Sequence, residues 1–386
     1  MRELRLQRGE TLLLASASPR RRELLSAAGI PLECRSADVD ETHWKGQNLT
    51  PEELVRELSF AKAQAVEQES PGRLVLGADT IVVLDGEILG KPADLAEARQ
   101  MFRRLSGRGH RVLTGVSLTR GEHRQSFVVE SRVLFRQLTE EEITRYFSSV
   151  NPLDKAGGYG LQEHGDWIVE KVEGSNSNVV GLPLCEVMRV LHGTSRWRYA
   201  LGRVAALLLL VLLLPWMALI ALWIWLRHGS VFYLAERLGE RGEPFRIWKF
   251  RTMREGADTE LESLLQGEQK RREWEEHQKL ADDPRVVSGF ARWLRETGLD
   301  ELPQLWNVVR GEMALVGPRP IVRQEVVRYG MLYDVLASVR PGITGLWQVS
   351  GRSALSYEQR VKLDCQYIRT ATVWMDAQIL LRTISN

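Results

Sequence analysis

The sequence has 386 residues, of which 44% are hydrophobic and 26% charged, and 52 basic against 50 acidic residues give a net charge of +2. This length predicts two or three domains. So small a net charge excludes the strongly basic balance of a nucleic-acid-binding protein, and no nucleic-acid partner is expected. The three cysteines, Cys34, Cys185 and Cys365, are far apart, form no zinc or redox pattern and indicate a reducing compartment.

The first predicted elements are a strand, a turn and a helix, with basic residues at the turn. Thr11–Ala15 is an apolar run typical of a buried strand, and Ser18 is the expected N-cap of the helix that follows. The turn therefore brings Ser16, Arg20 and Arg21 to a helix N-terminus. Free backbone donors, the helix dipole and two guanidinium groups favour phosphate there.

A carboxylate interrupts a very apolar segment of the N-terminal half. In RLVLGADTIVV, Arg73–Val83, a hydrophobic strand runs into Asp79 and Thr80 and continues as another strand. A charge in so apolar a run is costly unless it is used or paired. The pattern favours a functional carboxylate, and a satisfied turn aspartate is the structural alternative.

Other polar features of this half are weaker signals when taken alone. Lys62 lies on the predicted amphipathic helix Pro51–Gln68, and Lys91 follows an Asp-Gly hairpin turn. Gln162 ends a Gly-rich loop, DKAGGYGLQ, of the kind that can lie close to a ligand. The acidic segment Ala37–Glu41 is compatible with metal binding and equally with a solvated turn.

Together these segments resemble the Maf family of nucleotide pyrophosphatases. The matching pieces occur in family order across residues 11–192: ASASPRRRELL, ADVDE, FAKAQA, LGADTIV, LGKP, LSGRGHRVLTGV, DKAGGYGLQ and VVGLPL. The resemblance implies an α/β fold with a mixed sheet flanked by helices. It also implies hydrolysis of a nucleoside triphosphate to the monophosphate and pyrophosphate with a divalent metal, Mg²⁺ or another cation such as Mn²⁺.

The Maf resemblance also assigns roles to individual residues. It implies that Asp79 is the base that activates water. Three positions match those that set base specificity, and their combination is similar to the subgroup acting on dTTP and UTP: Arg20, Thr80 and Gln162. Four positions match those that hold phosphates: Ser16, Arg21, Lys62 and Lys91. Hydrolysis of a phosphate ester requires such cations beside the phosphate oxygens and a carboxylate that takes a proton from the attacking water.

The middle of the chain is an apolar stretch, Ala200–Leu226, in which Arg203 is the one charged residue. About 20 apolar residues suffice to cross a bilayer. Basic residues flank both ends, whereas a single crossing usually leaves positive charge on the cytoplasmic side. Pro215 removes a backbone donor near the middle and is expected to bend or break the helix. These features predict a re-entrant helix; an ordinary transmembrane anchor is the alternative.

The C-terminal half places charged residues among apolar anchors. Arg241–Met253 alternates apolar residues with basic ones that include Lys249 and Arg251, as in a strand with one basic face. Further on, Asp300 and Glu301 stand between leucines. An Asp-Glu pair alone is typical of a wet surface. The apolar neighbours, nearby arginines and the adjoining membrane segment favour a site where an aspartate attacks phosphorus and cations hold the phosphates.

These segments resemble the bacterial sugar transferases, the monotopic phosphoglycosyl transferases, across residues 200–384. The match rests on KFRTM, LRETGLDELPQLWNVVRGEMALVGPRP, RPGITGLWQVSGR and YIRTATVWMDAQILLRTI, with the apolar segment and its proline. It implies an α-rich monotopic membrane domain with a re-entrant, proline-broken helix. It further implies transfer of a sugar-1-phosphate from a UDP-sugar to a polyprenyl (undecaprenyl) phosphate, with release of UMP. A serine usually precedes the family's proline; here Leu214 precedes Pro215.

The transferase resemblance likewise assigns residue roles. By motif, Asp300 is the nucleophile that forms a covalent phosphosugar intermediate, and it also lies at the magnesium. Glu301 is its partner and helps the lipid phosphate attack. Four cationic residues would bind phosphate or uridine diphosphate: Lys249, Arg251, Arg295 and Arg319.

The predicted organisation is a Maf-like pyrophosphatase over residues 1–192, a linker over 193–199, a re-entrant helix over 200–226 and a transferase domain over 227–386. We expect a bifunctional enzyme, monotopic in the inner (cytoplasmic) membrane, with both catalytic domains facing the cytoplasm. Its expected partners are a UDP-sugar, polyprenyl phosphate, dTTP or UTP, and membrane lipids; a homodimer is compatible with the sequence. The alternatives are a non-catalytic, nucleotide-sensing Maf-like module, and a plain anchor joined to a scaffold.

Overall fold

The chain divides into two compact units, Met1–Gly193 and Thr194–Asn386. The first unit is an α/β fold, and the second is rich in helices. The computed structural model describes residues 4–37, 39–44, 47–192, 196–254, 256–268, 270–272, 280, 283–286, 288–351 and 354–385.

A seven-stranded mixed sheet forms the centre of the N-terminal unit. Its strands are β1 (Leu12–Ala15), β2 (Leu32–Arg35), β3 (Val75–Leu84), β4 (Glu87–Leu89), β5 (Gly109–Arg120), β6 (His123–Phe135) and β7 (Val169–Glu173). The order is β2-β1-β3-β5-β6-β7, with β4 paired to β3. β1 is parallel to β2 and β3, and the remaining pairs are antiparallel. The predicted mixed sheet is therefore confirmed.

Helices flank this sheet. They are α1 (Pro19–Ala27), α2 (Pro51–Glu69), α3 (Leu95–Leu105), α4 (Glu140–Ser149), α5 (Asn176–Val180) and α6 (Leu184–His192). The long helix α2 begins with a reciprocal cap: the Thr50 side chain accepts from the Glu53 N–H, and the Glu53 carboxylate accepts from the Thr50 N–H. Its apolar face, which includes Val55, Leu58 and Ala63, is buried.

α2 approaches the sheet closely at two glycines. A Cβ atom at Gly77 would lie 2.2 Å from the Ser59 carbonyl oxygen, and one at Gly115 would lie 2.1 Å from the Val55 carbonyl oxygen. Both distances are shorter than any ordinary contact of a methyl group. Glycine is required at these positions because it lets the helix backbone rest on β3 and β5.

Replacing Gly77 by alanine should destabilise the N-terminal unit by about 1–3 kcal/mol, because the new methyl group must push α2 away from β3. The matched control is Gly109→Ala on β5, where a Cβ would meet nothing within 4 Å. Thermal unfolding of the purified full chain measures both effects. Equal unfolding temperatures for the two variants would contradict this packing.

Helices are the main secondary-structure elements in the described part of the C-terminal unit. They are α7 (Arg196–His228), α8 (Ala257–Leu264), α9 (Gly289–Glu296), α10 (Gln304–Arg310), α11 (Val326–Tyr329), α12 (Tyr333–Leu336), α13 (Leu346–Ser350), α14 (Tyr357–Thr370) and α15 (Val373–Ser385). Two short two-stranded sheets complete it: antiparallel β8 (Phe232–Leu238) with β9 (Pro244–Phe250), and parallel β10 (Ala314–Val316) with β11 (Gly342–Thr344).

The apolar stretch forms one helix of 33 residues, α7, which is about 50 Å long at 1.5 Å per residue. Its segment Trp197–Arg227 is long and apolar enough to cross a membrane. α7 begins at Arg196, inside the predicted linker, of which residues 193–195 lie outside the described part of the chain. The helix runs through Pro215, so the predicted break is not confirmed, and the re-entrant path stays a prediction.

α7 contacts its own unit at both ends. Near the start, the Arg198 guanidinium donates two hydrogen bonds of 3.0 Å to the Asp376 carboxylate. Near the end, the Trp223 and Phe290 rings lie 4.5 Å apart. The other side of the helix carries large exposed apolar side chains: Leu208, Val211, Leu212, Leu214, Trp216, Leu219, Leu222, Trp225 and Leu226. One stripe of the helix is thus packed, and the rest is apolar surface.

Candidate active sites

The first candidate site lies on β3. The sequence predicted two strands separated by Asp79 and Thr80, but β3 is continuous through both residues, so the turn alternative is wrong. The Lys62 ammonium on α2 donates to Asp79 Oδ1 at 2.6 Å, and both side chains are largely buried. The close approach of α2 at Gly77 makes this pair possible. The carboxylate in the apolar strand is therefore paired with a cation.

Arg21, on α1, joins three segments around this pair. Its guanidinium donates to the side-chain oxygens of Ser16 at 3.1 Å and Thr80 at 3.0 Å. It also donates to the backbone carbonyls of Ala78 and Gly181, both at 2.8 Å. The structure thus brings together three of the predicted site residues, and Arg21 fixes the positions of the other two.

Charge is concentrated around Arg21. Burial lowers the pKa of the Arg21 guanidinium, the neighbouring Asp79 carboxylate raises it, and Arg20 lowers it. An arginine pKa starts so high that the group keeps its proton. Ser18 occupies the N-cap position as predicted, but its side chain forms no capping bond. Its N–H instead donates to Ser16 Oγ at 3.2 Å.

The Gly-rich loop is tied to Arg20 through acidic residues. Arg20 lies 3.6 Å from the carboxylates of both Asp154 and Glu163. The buried Lys155 ammonium donates to the same two carboxylates, at 2.7 Å and 3.0 Å. Sequence reasoning missed Lys155, although a lysine inside a Gly-rich loop was the available signal. Lys155 offsets the negative charge that Arg20 faces.

Two predicted residues of this site are exposed, Lys91 and Gln162. The Gly157 N–H donates to the Gly90 carbonyl at 2.9 Å, which joins the segment of Lys91 to the Gly-rich loop. The described contacts do not link Lys91 or Gln162 to Asp79. Both residues lie at the surface of the unit, where a bound ligand could still reach them.

Among the described residues, no group of three or more His, Cys, Asp and Glu side chains is arranged to hold an ion. Asp38, in the acidic segment considered for metal binding, lies outside the described residues. Mg²⁺ commonly binds one or two carboxylates together with substrate phosphates, so a single aspartate in each unit fits that mode of binding.

The second candidate site is the turn between α9 and α10. Gly298 has a left-handed backbone with φ of 71°, and Leu299–Glu301 follow as one turn of 3₁₀ helix. Asp300 is buried and Glu301 is partly exposed. The Lys249 ammonium on β9 donates to Glu301 Oε1 at 2.6 Å. The predicted Lys249 thus meets Glu301, one residue of the predicted acidic pair.

Arg237, on β8, is a further residue of this region that sequence reasoning did not assign. Burial lowers the pKa of Arg237, the Arg319 guanidinium lowers it further, and the carboxylates of Glu325 and Glu301 raise it. These influences place Arg237 near both Arg319 and Glu301. The register of the β8–β9 hairpin is the feature that indicates this position. Lys249 pairs with Tyr233, and Tyr233 lies four residues from Arg237. Arg237 is therefore on the same face of the sheet as Lys249.

Two other predicted cations point elsewhere in the described contacts. The Arg251 side chain donates to the Phe232 carbonyl at 3.5 Å, and its N–H donates to the Val231 carbonyl at 2.9 Å. Arg295 lowers the pKa of Asp283, which also pairs with a buried arginine. Their assignment to substrate phosphates stays a prediction.

A fully buried carboxyl group, Asp364 on α14, lies beside this region. The Tyr329 hydroxyl donates to Asp364 Oδ2 at 3.3 Å. Burial raises the pKa of Asp364 to about 8, although the Tyr329 hydrogen bond and the Arg319 charge oppose the rise. At neutral pH the folded protein therefore holds a proton on Asp364 that the unfolded chain releases.

Asp364→Asn should remove a pH dependence of stability. Because the pKa of Asp364 is raised in the folded state, the proton stabilises the fold at low pH, and this stabilisation declines as pH rises toward 8. Between about pH 6 and pH 8 the free energy of unfolding of the variant should rise by about 2 kcal/mol relative to that of the parent. This difference corresponds to roughly 4–8 °C in unfolding temperature. Calorimetry tests this, with exposed Glu358→Gln as control; parallel pH profiles for parent and Asp364→Asn would contradict it.

Each unit therefore holds an acidic side chain 2.6 Å from a lysine ammonium, with arginines close by. One site lies on a mixed sheet and the other beside a long apolar helix. The chain is thus a two-part protein whose sites have the charged groups that bind phosphate.

The N-terminal part matches the family model described as Maf-like protein over residues 11–194. The C-terminal part matches the model described as bacterial sugar transferase over residues 194–386. The chain belongs to the Maf family in its N-terminal half and to the bacterial sugar transferase family in its C-terminal half.

Curated relatives match the N-terminal half closely. A dTTP/UTP pyrophosphatase of Geotalea uraniireducens is 49% identical over 189 residues, which are 48% of this chain and 96% of the relative. One of Myxococcus xanthus is 51% identical over 181 residues, 47% of this chain and 91% of the relative. One of Symbiobacterium thermophilum is 48% identical over 182 residues, 47% of this chain and 93% of the relative. The predicted fusion of the two families is confirmed.

Proposed function

We propose that this chain is a bifunctional membrane enzyme. Its N-terminal unit hydrolyses dTTP or UTP to the monophosphate and pyrophosphate. Its C-terminal unit transfers a sugar-1-phosphate from a UDP-sugar to polyprenyl phosphate and releases UMP. One observation carries the proposal: in each unit a lysine lies 2.6 Å from a carboxylate at the positions that the family motifs assign.

In the pyrophosphatase reaction, Asp79 takes the proton of the attacking water. The water oxygen bonds to phosphorus, the bridging P–O bond breaks, and pyrophosphate leaves. Lys62, 2.6 Å from Asp79 Oδ1, brings positive charge to the same place. Phosphoryl chemistry depends mainly on such positioning and charge stabilisation. Ser16 and Thr80, both held by Arg21, offer hydroxyl groups to the nucleotide.

In the transferase reaction, an Asp300 oxygen attacks the phosphorus that carries the sugar. The P–O bond to UMP breaks, so the sugar phosphate is held on Asp300 as an acyl phosphate. A phosphate oxygen of the polyprenyl phosphate then attacks the same phosphorus and frees Asp300. Glu301, held by Lys249 at 2.6 Å, assists this second attack. Burial of Asp300 limits access of water to the intermediate.

Asp300 would hold Mg²⁺ in the transferase site together with phosphate oxygens of the substrate. When bound, the ion would neutralise charge on the donor diphosphate. Lys249 and Arg319 would supply the remaining positive charge from the protein. Mn²⁺ has the same preference for oxygen ligands.

The contacts of α7 support a helix that stays on one face of the membrane. A helix that crosses a bilayer leaves its ends on opposite faces, whereas the ends of α7 reach Asp376 and Phe290 of one polar unit. The exposed leucines and tryptophans of its other side suit lipid and the membrane interface. This supports a monotopic enzyme in the inner membrane with both units in the cytoplasm, where soluble nucleotides are available.

The alternative of a nucleotide-sensing module without turnover is not favoured. A nucleotide sensor needs cations that bind phosphates, but it needs no base to activate water. In this chain Asp79, the proposed base, is present and is paired with Lys62. Two assays test the two activities. The first measures UMP release from a panel of UDP-sugars in the presence of polyprenyl phosphate. The second measures pyrophosphate release from a panel of nucleoside triphosphates. We expect one preferred UDP-sugar and preference for UTP and dTTP. Failure of either panel to give any product would contradict that half of the proposal.

A further inference from the structure

A closed ring of hydrogen bonds includes Thr80 in the N-terminal unit. The Arg21 guanidinium donates to Thr80 Oγ1 at 3.0 Å. Thr114, which pairs with Thr80 between β3 and β5, brings its own Oγ1 to 2.9 Å from the same atom. Thr114 Oγ1 in turn donates to the Asn178 carbonyl at 3.2 Å. Gly181 closes the ring, because its N–H donates to the Asn178 carbonyl at 3.0 Å and its carbonyl accepts from Arg21 at 2.8 Å.

This ring determines where the Thr80 hydroxyl sends its proton. A hydroxyl group has one proton to donate and two lone pairs, and an arginine can only donate. Arg21 therefore uses one lone pair of Thr80. Thr114 Oγ1, at 2.9 Å, can accept the Thr80 proton because its own proton goes to Asn178. The other acceptor near Thr80, the Gly181 carbonyl at 3.4 Å, is farther than an ordinary hydrogen bond and also belongs to the protein.

Thr80 is therefore an acceptor toward any ligand. It is partly exposed at the candidate site, whereas Thr114 and Asn178 are fully buried. With its proton given to Thr114, Thr80 Oγ1 keeps one lone pair for a ligand and has no proton to offer. A hydrogen-bond donor on the ligand suits this oxygen. An acceptor on the ligand would bring two lone pairs against each other.

The pyrimidine bases differ in the group that such an oxygen distinguishes. Uracil and thymine carry a donor, N3–H, on their pairing edge, whereas cytosine carries a bare acceptor at N3. An oxygen that can only accept therefore binds uracil and thymine and disfavours cytosine. Discrimination of this kind is effective because the mismatched polar groups are left without partners.

We propose that Thr114 is a positioning residue that sets the base preference of the N-terminal unit. It takes the Thr80 proton and so keeps Thr80 Oγ1 as an acceptor for the N3–H of uracil or thymine. The inference rests on the proposed function for the class of ligand, a pyrimidine nucleoside triphosphate. Because Thr114 is fully buried, it acts on the ligand through Thr80.

The test measures binding by calorimetry on the full-length protein in nanodiscs. The probes are UTP and CTP analogues with an imido bridge between the α- and β-phosphates, so binding is measured without cleavage. The parent should bind the UTP analogue more tightly. In Thr114→Val the ratio of the two affinities should fall about 10-fold, because the Thr80 proton is free to meet cytosine. Thr114→Ser keeps a hydroxyl group and should restore most of the ratio.

Thr119→Val is the matched control. Thr119 is a second buried threonine of β5, and its hydroxyl has no hydrogen-bond partner among the described residues. The same substitution there should change the affinity ratio less than about twofold, because Thr119 shares no partner with Thr80. In a Thr80→Val background, Thr114→Val should have no further effect on the ratio, because its effect passes through the missing hydroxyl.

The affinity ratio separates positioning from a structural role, since a damaged fold weakens binding of both analogues together. An unchanged ratio in Thr114→Val, or an equal fall in Thr119→Val, would overturn the inference. A parent that binds both analogues equally, or neither, would overturn it as well. Failure of the proposed hydrolysis would look different: the parent would prefer the UTP analogue yet release no pyrophosphate from UTP.

Discussion

Replacing Asp300 by asparagine should abolish sugar-phosphate transfer while leaving nucleotide hydrolysis unchanged. Asparagine keeps the shape of the buried side chain, but its amide lacks the anionic oxygen that we propose attacks phosphorus. Loss of a catalytic nucleophile commonly lowers turnover by about 10³-fold or more. With a UDP-sugar labelled in the sugar, the parent should retain label on denatured protein when no acceptor is present. The variant should retain none.

The matched control for this experiment is Glu296→Gln, which changes an exposed carboxylate on α9 just before the acidic turn. It should trap label and release UMP as the parent does. Glu301→Gln should still trap label and should pass it slowly to the lipid, because the role proposed for Glu301 falls in the second step. Label on Asp300→Asn at the level of the parent would contradict the proposed nucleophile.

Asp79→Asn should lower hydrolysis of UTP and dTTP by about 10²–10⁴-fold, the range expected when a general base is removed. The amide cannot accept the proton of water, although it can still contact Lys62. Sugar-phosphate transfer should be unaffected, because the proposed nucleophile for that reaction, Asp300, lies in the other unit. Pyrophosphate release and UMP release, measured on one preparation, report the two activities separately.

Asp85→Asn is the control for this variant. Asp85 lies in the turn that follows β3, is exposed and pairs with Arg108 at the surface, where such pairs contribute little. Its hydrolysis rate should remain within about twofold of the parent. Undiminished UTP hydrolysis by Asp79→Asn would instead support the sensing module and contradict the proposed pyrophosphatase.

Local patterns predicted much of the N-terminal site. The apolar run before Ser16 is a strand, α1 starts at Pro19, and the amphipathic helix carrying Lys62 is α2. The Asp79–Lys62 pair follows from these elements, because a lone charge in an apolar strand requires a partner. Motif order then identified both families correctly. These features depend on residues that are close together in the sequence.

Other features depend on contacts between distant residues. Arg21 bonds to carbonyls 57 and 160 residues away, so no local pattern indicates that it organises Ser16 and Thr80. The buried charge of Lys155 and the position of Arg237 likewise depend on how loops and strands meet. Tertiary packing, rather than residue preference, decides each of these features.

We expect both enzymes to lie on one face of the membrane, and labelling with a membrane-impermeant maleimide distinguishes this arrangement from a helix that crosses. Cys34 is exposed in the N-terminal unit, whereas Cys185 and Cys365 are buried. Lys362→Cys adds a second exposed thiol in the C-terminal unit. In spheroplasts we predict that neither thiol reacts until the membrane is permeabilised, after which both react. Labelling of one thiol in intact spheroplasts while the other stays protected would show that the two units lie on opposite faces and would contradict the monotopic arrangement.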